Sequence, residues 1–408
     1  MRALPLLSLT PTGLRRPLVF NWGVSSFYGW GIYGLNLLLA LADHPGYAPF
    51  AAMEILPGDV VLDPLREARL AALAEQSRDI WQALGETGSP AVEIDAPLLL
   101  GLGKDLLSAA SARQKDLAGR PSIGVAFLEE ASLNPDGRRR AAQFAVIVAG
   151  SSWNERILRA NGVIATTTVL QGVDTSLFHP APRSGVIPER FGVFSGGKLE
   201  FRKGQDLVLA AFRAFHQRHP EALLLTAWSS PWSELTAAAA AHPGITPPAV
   251  GPDGIPDAVG WAVANGIPPD AVIALGPVPN IAMPHVIREA DVALFPNRCE
   301  GGTNLVAMEC LACGIPTILS ANTGHLDLLG LGDVALRLER QGLVPRDGTD
   351  TTDWGESDVA EMVERLETVW RDRIAAAALG DRGARAMAKL SWRGQIGRLL
   401  RAIEPVLP

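Results

Sequence analysis

The chain has 408 residues, of which 48% are hydrophobic and 19% charged, a size and composition that predict two or three folded domains and exclude extended disorder. Its 36 basic and 43 acidic side chains give a net charge of −7, which argues against a general nucleic-acid-binding protein because such proteins are strongly basic. Three cysteines cannot form a disulfide framework, and no apolar run approaches the roughly 18–20 residues of a membrane span. We therefore expect a cytoplasmic protein whose N-terminal stretch, MRALPLLSLTPTGLRR, is a leader strand or loose tail and not a signal peptide.

In the first half of the chain, short apolar runs alternate with longer segments of helical periodicity. A strand at 16–22 (RPLVFNW) is followed by a glycine-rich turn and by a helix at 33–43. The same alternation predicts further strands at 91–95, 122–127, 145–150 and 163–170, and helices at 66–84 and 153–161. Strands that alternate with helices are typical of parallel sheets covered by helices on both faces.

The alternation restarts after a proline-rich stretch at 179–188, which we interpret as an interdomain linker. Beyond it, strands are predicted at 191–197, 222–228, 271–276, 291–296 and 316–321, and helices at 206–220 and 389–404. Residues 229–270, rich in Ala, Gly and Pro, are predicted to form an irregular excursion on the surface.

These elements predict the α/β class, with two doubly wound Rossmann-like domains that face each other across a cleft. We expect a first domain at 1–182, a second at 183–385, and a C-terminal helix at 386–408 that crosses back to the first. Ligands of such folds lie at the carboxyl ends of the strands, so the cleft is the expected site.

A cluster of positive charge follows the first strand of the second half. Lys198, Arg202 and Lys203 occur within six positions, just after Gly196 and Gly197. Glycines let backbone amides approach an anion, and the N-terminus of the following helix adds positive potential. Together with the cations, they predict a loop that neutralises a diphosphate. The alternative is a solvated strand–helix loop whose charges are incidental.

A second candidate segment follows the strand that ends at Pro296. Glu300 and two glycines precede a helix that begins near Leu305 and carries Glu309 in its first turns. The backbone amides at this helix start can hold a phosphate, and they belong to Gly302, Thr303, Asn304, Leu305 and Val306. A carboxylate one or two turns into the helix can accept hydrogen bonds from two ribose hydroxyls. The alternative is an ordinary helix N-terminus with acidic residues placed to suit the macrodipole.

Together the two segments resemble the family 4 retaining glycosyltransferases, which have the GT-B architecture. Residues 171–180 (QGVDTSLFHP) are similar to the interdomain signature of that family, 195–206 (SGGKLEFRKGQD) to its diphosphate loop, and 302–318 (GTNLVAMECLACGIPTI) to its nucleotide-binding helix. Residues 151–163 and 290–297 also match, and the resemblance covers roughly residues 18–400. It implies that the first domain binds the acceptor and the second a nucleotide-diphospho-sugar.

The resemblance also implies roles for single residues. Lys198, which stands where the family usually has Arg, and Lys203 contact the donor diphosphate, with Arg202 as a further donor-binding cation. Glu309 binds the ribose hydroxyls, and Glu300 contacts the transferred sugar.

Two departures from the family pattern affect these assignments. The family has seven residues between its paired glutamates, whereas eight separate Glu300 from Glu309, so either the loop bulges by one residue or the donor-sugar contact is changed. Many members carry a His near the reaction centre, but no His lies between 45 and 178 in this chain. Glu129 or Glu130 is our catalytic candidate there, and the alternative is an exposed acidic pair that caps a loop.

Two further loops complete the site that the resemblance implies. Backbone groups around Val278 border the nucleotide base. The stretch 23–37 stands in the place of the family's glycine-rich acceptor loop, with Gly29, Trp30 and Gly31 at its centre. Its aromatic rings can stack on a sugar face, and the alternative is that they pack a strand–helix junction.

The function implied is a retaining transfer of a sugar from a nucleotide-diphospho-sugar to an unknown glycan, lipid-linked or small-molecule acceptor, in glycan or polysaccharide biosynthesis. We expect no cofactor and no metal ion, because lysines and helix amides neutralise the leaving diphosphate. Nucleic acid is not an expected partner. A solvated helix start is the favoured interpretation of GRRRA (137–141), and a weak peripheral contact with anionic membrane lipid is its alternative. The CxxC at 310–313 lies in a predicted helix, which favours buried thiols over zinc.

Two other functions stay open at this point. A nucleotide-sugar 2-epimerase shares the fold, but it should use several titratable side chains at the cleft, which the absence of His between residues 45 and 178 disfavours. A non-catalytic nucleotide-sugar-binding protein is the other. Transfer or hydrolysis of the donor would separate the enzymes from the binding protein.

Overall fold

The protein is described by a computed structural model that covers residues 4–9, 14–108, 115–187, 189–230, 238–249, 256–344 and 348–407. The chain divides into two compact units. Unit 1 comprises Met1–Gly172, Pro279–Ile281 and Leu390–Pro408, and unit 2 comprises Val173–Val278 and Ala282–Lys389. Within the described ranges, no helix combines the length and the apolar character needed to cross a membrane.

Unit 1 is built on parallel strands. They are β1 (Leu6–Leu7), β2 (Arg16–Phe20), β3 (Tyr47–Ala51), β4 (Ala91–Ile94), β5 (Leu98–Leu102), β6 (Asp116–Gly119), β7 (Ser122–Ala126), β8 (Val146–Ala149) and β9 (Thr166–Thr168). The main sheet has the order β3-β2-β5-β7-β8-β9, and a smaller sheet has the order β1-β4-β6. Helices of this unit are α1 (Gly29–Leu41), α2 (Pro64–Glu86), α3 (Pro135–Ala141) and α4 (Ser152–Ala160).

Unit 2 carries a second parallel sheet. Its strands are β10 (Phe191–Lys198), β11 (Ala222–Ser229), β12 (Val272–Ala274), β13 (Val292–Phe295), β14 (Thr317–Ser320) and β15 (Leu336–Leu338), in the order β12-β11-β10-β13-β14-β15. A short antiparallel pair, β16 (Gln341–Gly342) with β17 (Glu356–Ser357), follows the sheet. The register pairs Val193 of β10 with Leu224 of β11 on one side and with Val292 of β13 on the other.

Helices surround this sheet, and one more helix belongs to unit 1. They are α5 (Gln205–His216), α6 (Ala258–Ala264), α7 (Met283–Ile287), α8 (Leu305–Ala312), α9 (His325–Leu329), α10 (Val359–Arg371), α11 (Arg373–Met387) and, in unit 1, α12 (Trp392–Ile403). Single 3-10 turns occur at Pro57–Asp59, Lys104–Leu106, Phe201–Lys203, Pro269–Ala271 and Glu404–Val406. The core of unit 2 joins β10, β11 and β13 to α5 and α10 through buried aliphatic and phenyl side chains.

Local side-chain chemistry explains where several helices begin. Asp63 accepts hydrogen bonds from the N–H groups of Leu65 and Arg66 before α2, and Pro64 occupies the first helical position. Ser151 caps α4 by accepting from Asn154, and Ser391, Asp358 and Asp372 cap α12, α10 and α11 in the same way. Such caps satisfy amides that the helix itself leaves unpaired.

The α/β class and the two doubly wound parallel sheets confirm the fold predicted from the sequence. Several details differ. The strands β3, β5 and β6 of unit 1 and β15, β16 and β17 of unit 2 were not predicted. The predicted strand at 91–95 is β4 of the smaller sheet, and the helix predicted at 33–43 begins earlier, at Gly29. In the predicted excursion at 229–270, residues 231–237 and 250–255 lie outside the described part of the chain, and α6 occupies 258–264.

Candidate active site

The sheet of unit 2 has a topological switch point between β10 and β13. From β10 the chain proceeds to β11 and β12 on one side and then returns to the other side as β13, β14 and β15. Because all these pairs are parallel, the carboxyl ends of β10 and β13 lie at the same edge of the sheet. Ligands of open α/β sheets bind outside the strand ends at such a point. Both loops that the sequence assigns to the donor start there.

The loop after β10 is held by its own backbone and by the neighbouring loop. A turn at Phe201–Lys203 leads to Gly204, which has a φ of 70° at the start of α5. A Cβ at Gly204 would lie 2.4 Å from the carbonyl oxygen of Pro296, so only glycine fits between the two loops. Gln205 Nε2 donates to the carbonyl oxygen of Lys198 at 2.8 Å.

The loop after β13 lies directly against the loop after β10. The N–H of Arg298 donates to the carbonyl oxygen of Arg202 at 2.7 Å, and Arg202 Nη1 donates to that of Cys299 at 3.3 Å. A Cβ at Gly196 would be 2.9 Å from the side chain of Val306, in the first turn of α8. The structure therefore brings the two predicted segments together.

Three cations and two carboxylates form one ionic cluster, which we call the cation cluster: Lys198, Glu200, Arg202, Lys203 and Glu300. Lys198 Nζ lies 2.8 Å from Glu200 Oε2, and Arg202 Nη2 lies 2.6 Å from Glu200 Oε1. Arg202 Nη1 lies 3.3 Å from Glu300 Oε2, and Lys203 pairs with Glu300 Oε1. One net positive charge remains, and the cations are held in defined positions. Glu200 was not predicted as a site residue, although it lies between two of the cations in the sequence.

Glu300 is buried, with 4% of its surface exposed, and it is ionised. Burial raises its pKa, but the charges of Lys203 and Arg202 outweigh burial, and the pKa falls to about 2. The N–H of Glu300 donates to Thr323 Oγ1 at 2.8 Å, and Asn297 Nδ2 donates to its carboxylate. Hence the additional residue between Glu300 and Glu309 leaves Glu300 in contact with the cations assigned to the diphosphate.

A buried ion pair, which was not predicted from the sequence, joins the two loops. Arg298 is 0% exposed, and its Nη1 and Nη2 each donate to one carboxylate oxygen of Asp206 at 2.9 Å. Arg298 also donates to the carbonyl oxygen of Phe201 at 2.8 Å and to Glu356 at 2.7 Å. Burial raises the pKa of Asp206, but the hydrogen bonds and charge of Arg298 hold it below its usual range. An Arg in a loop and an Asp at a helix start are each common on surfaces, so no local pattern indicates that these two residues pair.

The start of α8 is organised by its own side chains. Asn304 has a φ of 63°, and its Oδ1 accepts a hydrogen bond from the N–H of Ala307 at 3.3 Å. Thr303 Oγ1 donates to Met308 Sδ at 3.0 Å. The side chains of Thr303 and Asn304 therefore hydrogen-bond within the helix start. The backbone amides of these two residues are the groups that can bind a phosphate. Glu309 lies in the second turn and is 3% exposed.

Two cysteines lie at the C-terminal end of α8. Cys310 and Cys313 are both buried, and burial raises the pKa of Cys313 to about 12. Among the residues that the structure describes, no group of three or more His, Cys, Asp and Glu side chains could hold a metal ion.

Residues that the sequence assigned to the acceptor side lie in unit 1. Glu130 follows the end of β7 and pairs with Lys104 at 2.6 Å, and Glu129, which precedes it, is exposed. Their catalytic assignment remains a prediction.

The predicted acceptor loop is the first turn of α1. Gly29 is exposed, and Trp30 packs against Trp22 and Phe127 with ring centroids 5.2 and 4.8 Å apart. A Cβ at Gly31 would lie 2.4 Å from Ser25 Cβ, so this glycine is required by packing within unit 1. The rings of Trp30 and Tyr33 thus pack a strand–helix junction, whereas Tyr28 is 49% exposed, and the binding of an acceptor here remains a prediction. Val278, predicted to border the base, is half-buried in the loop after β12.

Residues 281–399 match the family model described as Family 4 Glycosyltransferase in conflict systems. No curated protein sequence matches the chain. The match lies mostly in unit 2 and includes Glu300, the start of α8 and Glu309.

Solved structures resemble nearly the whole chain at low sequence identity. A sucrose-phosphate synthase from Thermosynechococcus elongatus is 17% identical, with a TM-score of 0.62 over 96% of this chain and 100% of that one. A glycosyltransferase from Rickettsia africae is 8% identical, with a TM-score of 0.63 over 96% of this chain and 98% of that one. HepE from Anabaena, in complex with UDP and glucose, is 12% identical, with a TM-score of 0.61 over 96% of this chain and 100% of that one. These similarities confirm the GT-B fold that the sequence predicts.

Proposed function

We propose that this chain acts as a family 4 glycosyltransferase, the family whose model matches residues 281–399, and that it transfers a sugar from a nucleotide-diphospho-sugar to an acceptor with retention of the anomeric configuration. The observation that carries the proposal is the meeting of the cation cluster and the start of α8 at the switch point of one parallel sheet. Two features that attract phosphate, each weak alone, lie side by side at the position where this fold binds ligands.

The diphosphate is the part of the donor that this site fits best. Lys198, Arg202 and Lys203 supply positive side chains, and the first amides of α8 supply hydrogen-bond donors. HepE from Anabaena has been described in complexes with UDP and with UDP-glucose, which makes uridine the first base to test. In this proposal Glu309, one turn further into α8, accepts hydrogen bonds from the ribose hydroxyls.

Binding of the donor requires an exchange of ionic partners. Lys203 and Arg202 pair with Glu300 in this structure, and a diphosphate would compete for the same cations. Release of one oxygen of Glu300 would leave that oxygen available for a hydroxyl of the transferred sugar. The carboxylate therefore holds the cations in place before the donor arrives and contacts the sugar afterwards.

Catalysis in this proposal is electrostatic. As the bond between the sugar and the phosphate breaks, negative charge grows on the leaving diphosphate, where preorganised cations and amides already lie. Retention is assigned to attack from the face on which the leaving phosphate remains, with that phosphate taking the proton of the acceptor hydroxyl. No protein nucleophile is needed, and the acceptor is a glycan, a lipid-linked sugar or a small molecule.

A binding screen followed by a turnover assay tests the proposal. A nucleotide-sugar at 100 times its dissociation constant should stabilise the protein by roughly 2.7 kcal/mol in a thermal-shift screen of UDP-, GDP- and ADP-sugars. Each donor that binds is then incubated with and without candidate acceptors, and both transfer and hydrolysis are measured. Binding without either reaction would indicate a non-catalytic binding protein, and the absence of binding by all three classes would refute the proposal.

A further inference from the structure

A histidine outside the proposed contacts to the donor occupies the centre of a buried hydrogen-bond chain. His325 is the first residue of α9 and is 0% exposed. Its Nδ1 lies 2.9 Å from Ser320 Oγ and 3.2 Å from the carbonyl oxygen of Ser320. Its Nε2 lies 3.0 Å from Asn304 Nδ2. The imidazole therefore links the end of β14 to the residue that caps α8.

The partners determine which ring nitrogen carries the proton. Ser320 Oγ donates its own hydrogen to the carbonyl oxygen of Asn297 at 2.6 Å, so both oxygens of Ser320 act as acceptors towards Nδ1. Asn304 Oδ1 accepts from Ala307, which turns Nδ2, a donor, towards Nε2. The ring must be the neutral tautomer that donates from Nδ1 and accepts at Nε2.

The surroundings favour this neutral form. Burial lowers the pKa of His325, and the negative charge of Glu300 raises it. The positive charges of Lys203 and Arg202 lower it further, so the pKa is about 4. Protonation would place an N–H group against the amide nitrogen of Asn304, which is itself a donor. The ring can therefore hold Asn304 only while it is neutral.

We propose that His325 is a positioning residue for the nucleotide diphosphate and that it acts through Asn304. This inference rests on the proposed function. Asn304 caps α8, and its orientation sets the direction of the amides of 302–306 that would face the phosphates. The same chain continues through Ser320 to Asn297, whose side chain donates to Glu300. His325 thus supports both the anion-binding amides and the carboxylate of the cation cluster.

Two substitutions of His325 separate its two hydrogen bonds. In His325→Gln the amide oxygen takes the place of Nε2 and can accept from Asn304. In His325→Asn the shorter side chain reproduces the contact to Ser320 but does not reach Asn304. We expect His325→Asn to weaken UDP binding about tenfold in titration calorimetry, the size of one lost hydrogen bond, and His325→Gln to stay within about threefold of the wild type.

A double-mutant cycle tests whether the effect passes through Asn304. Glycine tolerates the φ of 63° at this position, so Asn304→Gly removes the side chain without backbone strain. In that background we expect His325→Asn to change UDP affinity no further. An equal loss in both backgrounds, or a loss in His325→Gln as large as in His325→Asn, would overturn the positioning role.

An independent readout uses the free protein. Imidazole ¹⁵N NMR at pH 7 should show His325 as the tautomer protonated at Nδ1, with its signal assigned among the seven histidines by its loss in His325→Gln. This measurement holds even if His325→Asn does not fold, and a proton on Nε2 would overturn the hydrogen-bond chain. A wild-type protein that binds none of UDP, GDP and ADP would refute the proposed function and the positioning role together. Failure of the positioning role alone would leave wild-type binding intact.

Discussion

Lys203 and Glu300 form a buried ion pair in which Arg202 Nη1 lies 3.3 Å from the second oxygen of the carboxylate. The residue assigned to the transferred sugar and the cations assigned to the diphosphate are therefore parts of one cluster. Changes to any member should alter how the others are held, so the kinetic effects of single substitutions will depend on which charges remain.

Lys203→Ala should lower turnover by roughly 10²–10³-fold, because it removes a cation that stabilises the leaving diphosphate. Lys198→Arg keeps the charge and introduces the residue usual in the family, so we expect a much smaller change. The measurement is the rate of sugar transfer at saturating donor for both variants. Equal rates for the two would contradict the diphosphate assignment.

Glu309→Ala should weaken nucleotide binding by about 1–3 kcal/mol, because ribose hydroxyls would lose their acceptor. Glu309→Gln retains one acceptor oxygen and should lose less. Titration of the free nucleotide measures the dissociation constant, and the melting temperature of each variant controls for folding. A dissociation constant that does not change in Glu309→Ala would remove this residue from the site.

Arg298→Met should lower the free energy of unfolding by about 3–5 kcal/mol, because it leaves Asp206 buried without its partner. The double variant Arg298→Met, Asp206→Leu should recover part of that loss, since no charge then remains unpaired. Urea denaturation measures both. Arg382→Met is the matched control: its pair with Asp333 is 2.6 Å long, with side chains 40% and 77% exposed, and should contribute less than about 1 kcal/mol. A comparable loss in the control and in Arg298→Met would refute the role of the buried pair.

The free energy of unfolding should fall as the pH is lowered from 6.5 to 4.5. In His325→Gln it should fall by less over the same range. The pKa of His325 is 6.5 when unperturbed and about 4 in the folded protein, so the unfolded chain binds more protons here and stability rises with pH. The contribution of His325 is on the order of 2 kcal/mol across the range. The pKa of Glu300 is lowered from 4.5 to about 2, so its own contribution is lost only below this window. Chemical denaturation of the wild type and of His325→Gln at three pH values measures the difference in their free energies of unfolding. An identical pH dependence in the two proteins would exclude the contribution of His325.

Local sequence patterns predicted strands β10 to β14 of unit 2. The strand predicted at 191–197 is β10, and the helix predicted to begin near Leu305 is α8, because both are specified by nearby residues. The strand β5, at Leu98–Leu102, was missed in unit 1. Only three residues separate it from β4, too few for a crossover helix, and β4 instead pairs with β1 and β6.

Side chains whose role depends on distant partners could not be recognised in the sequence. Charge and spacing within short segments were enough to predict roles for Lys198, Lys203 and Glu309. Arg298 binds Asp206 from 92 positions away, and His325 reaches Asn304 across 21. Those contacts arise only when β10, β13 and β14 lie side by side, which no local pattern specifies.

Activity should survive EDTA, and the anomeric configuration of the product should match that of the donor. Lys198, Arg202 and Lys203 with the amides at the start of α8 supply the positive charge that a divalent cation supplies in metal-dependent transferases. Both outcomes follow from one arrangement, in which the leaving phosphate is held by unit 2 on the face from which the acceptor attacks. A transfer assay with and without chelator gives the first outcome, and NMR coupling constants of the product give the anomer. Activity that is lost on chelation and restored by magnesium or manganese would contradict the role of the cations. An inverted anomer would contradict the retaining mechanism.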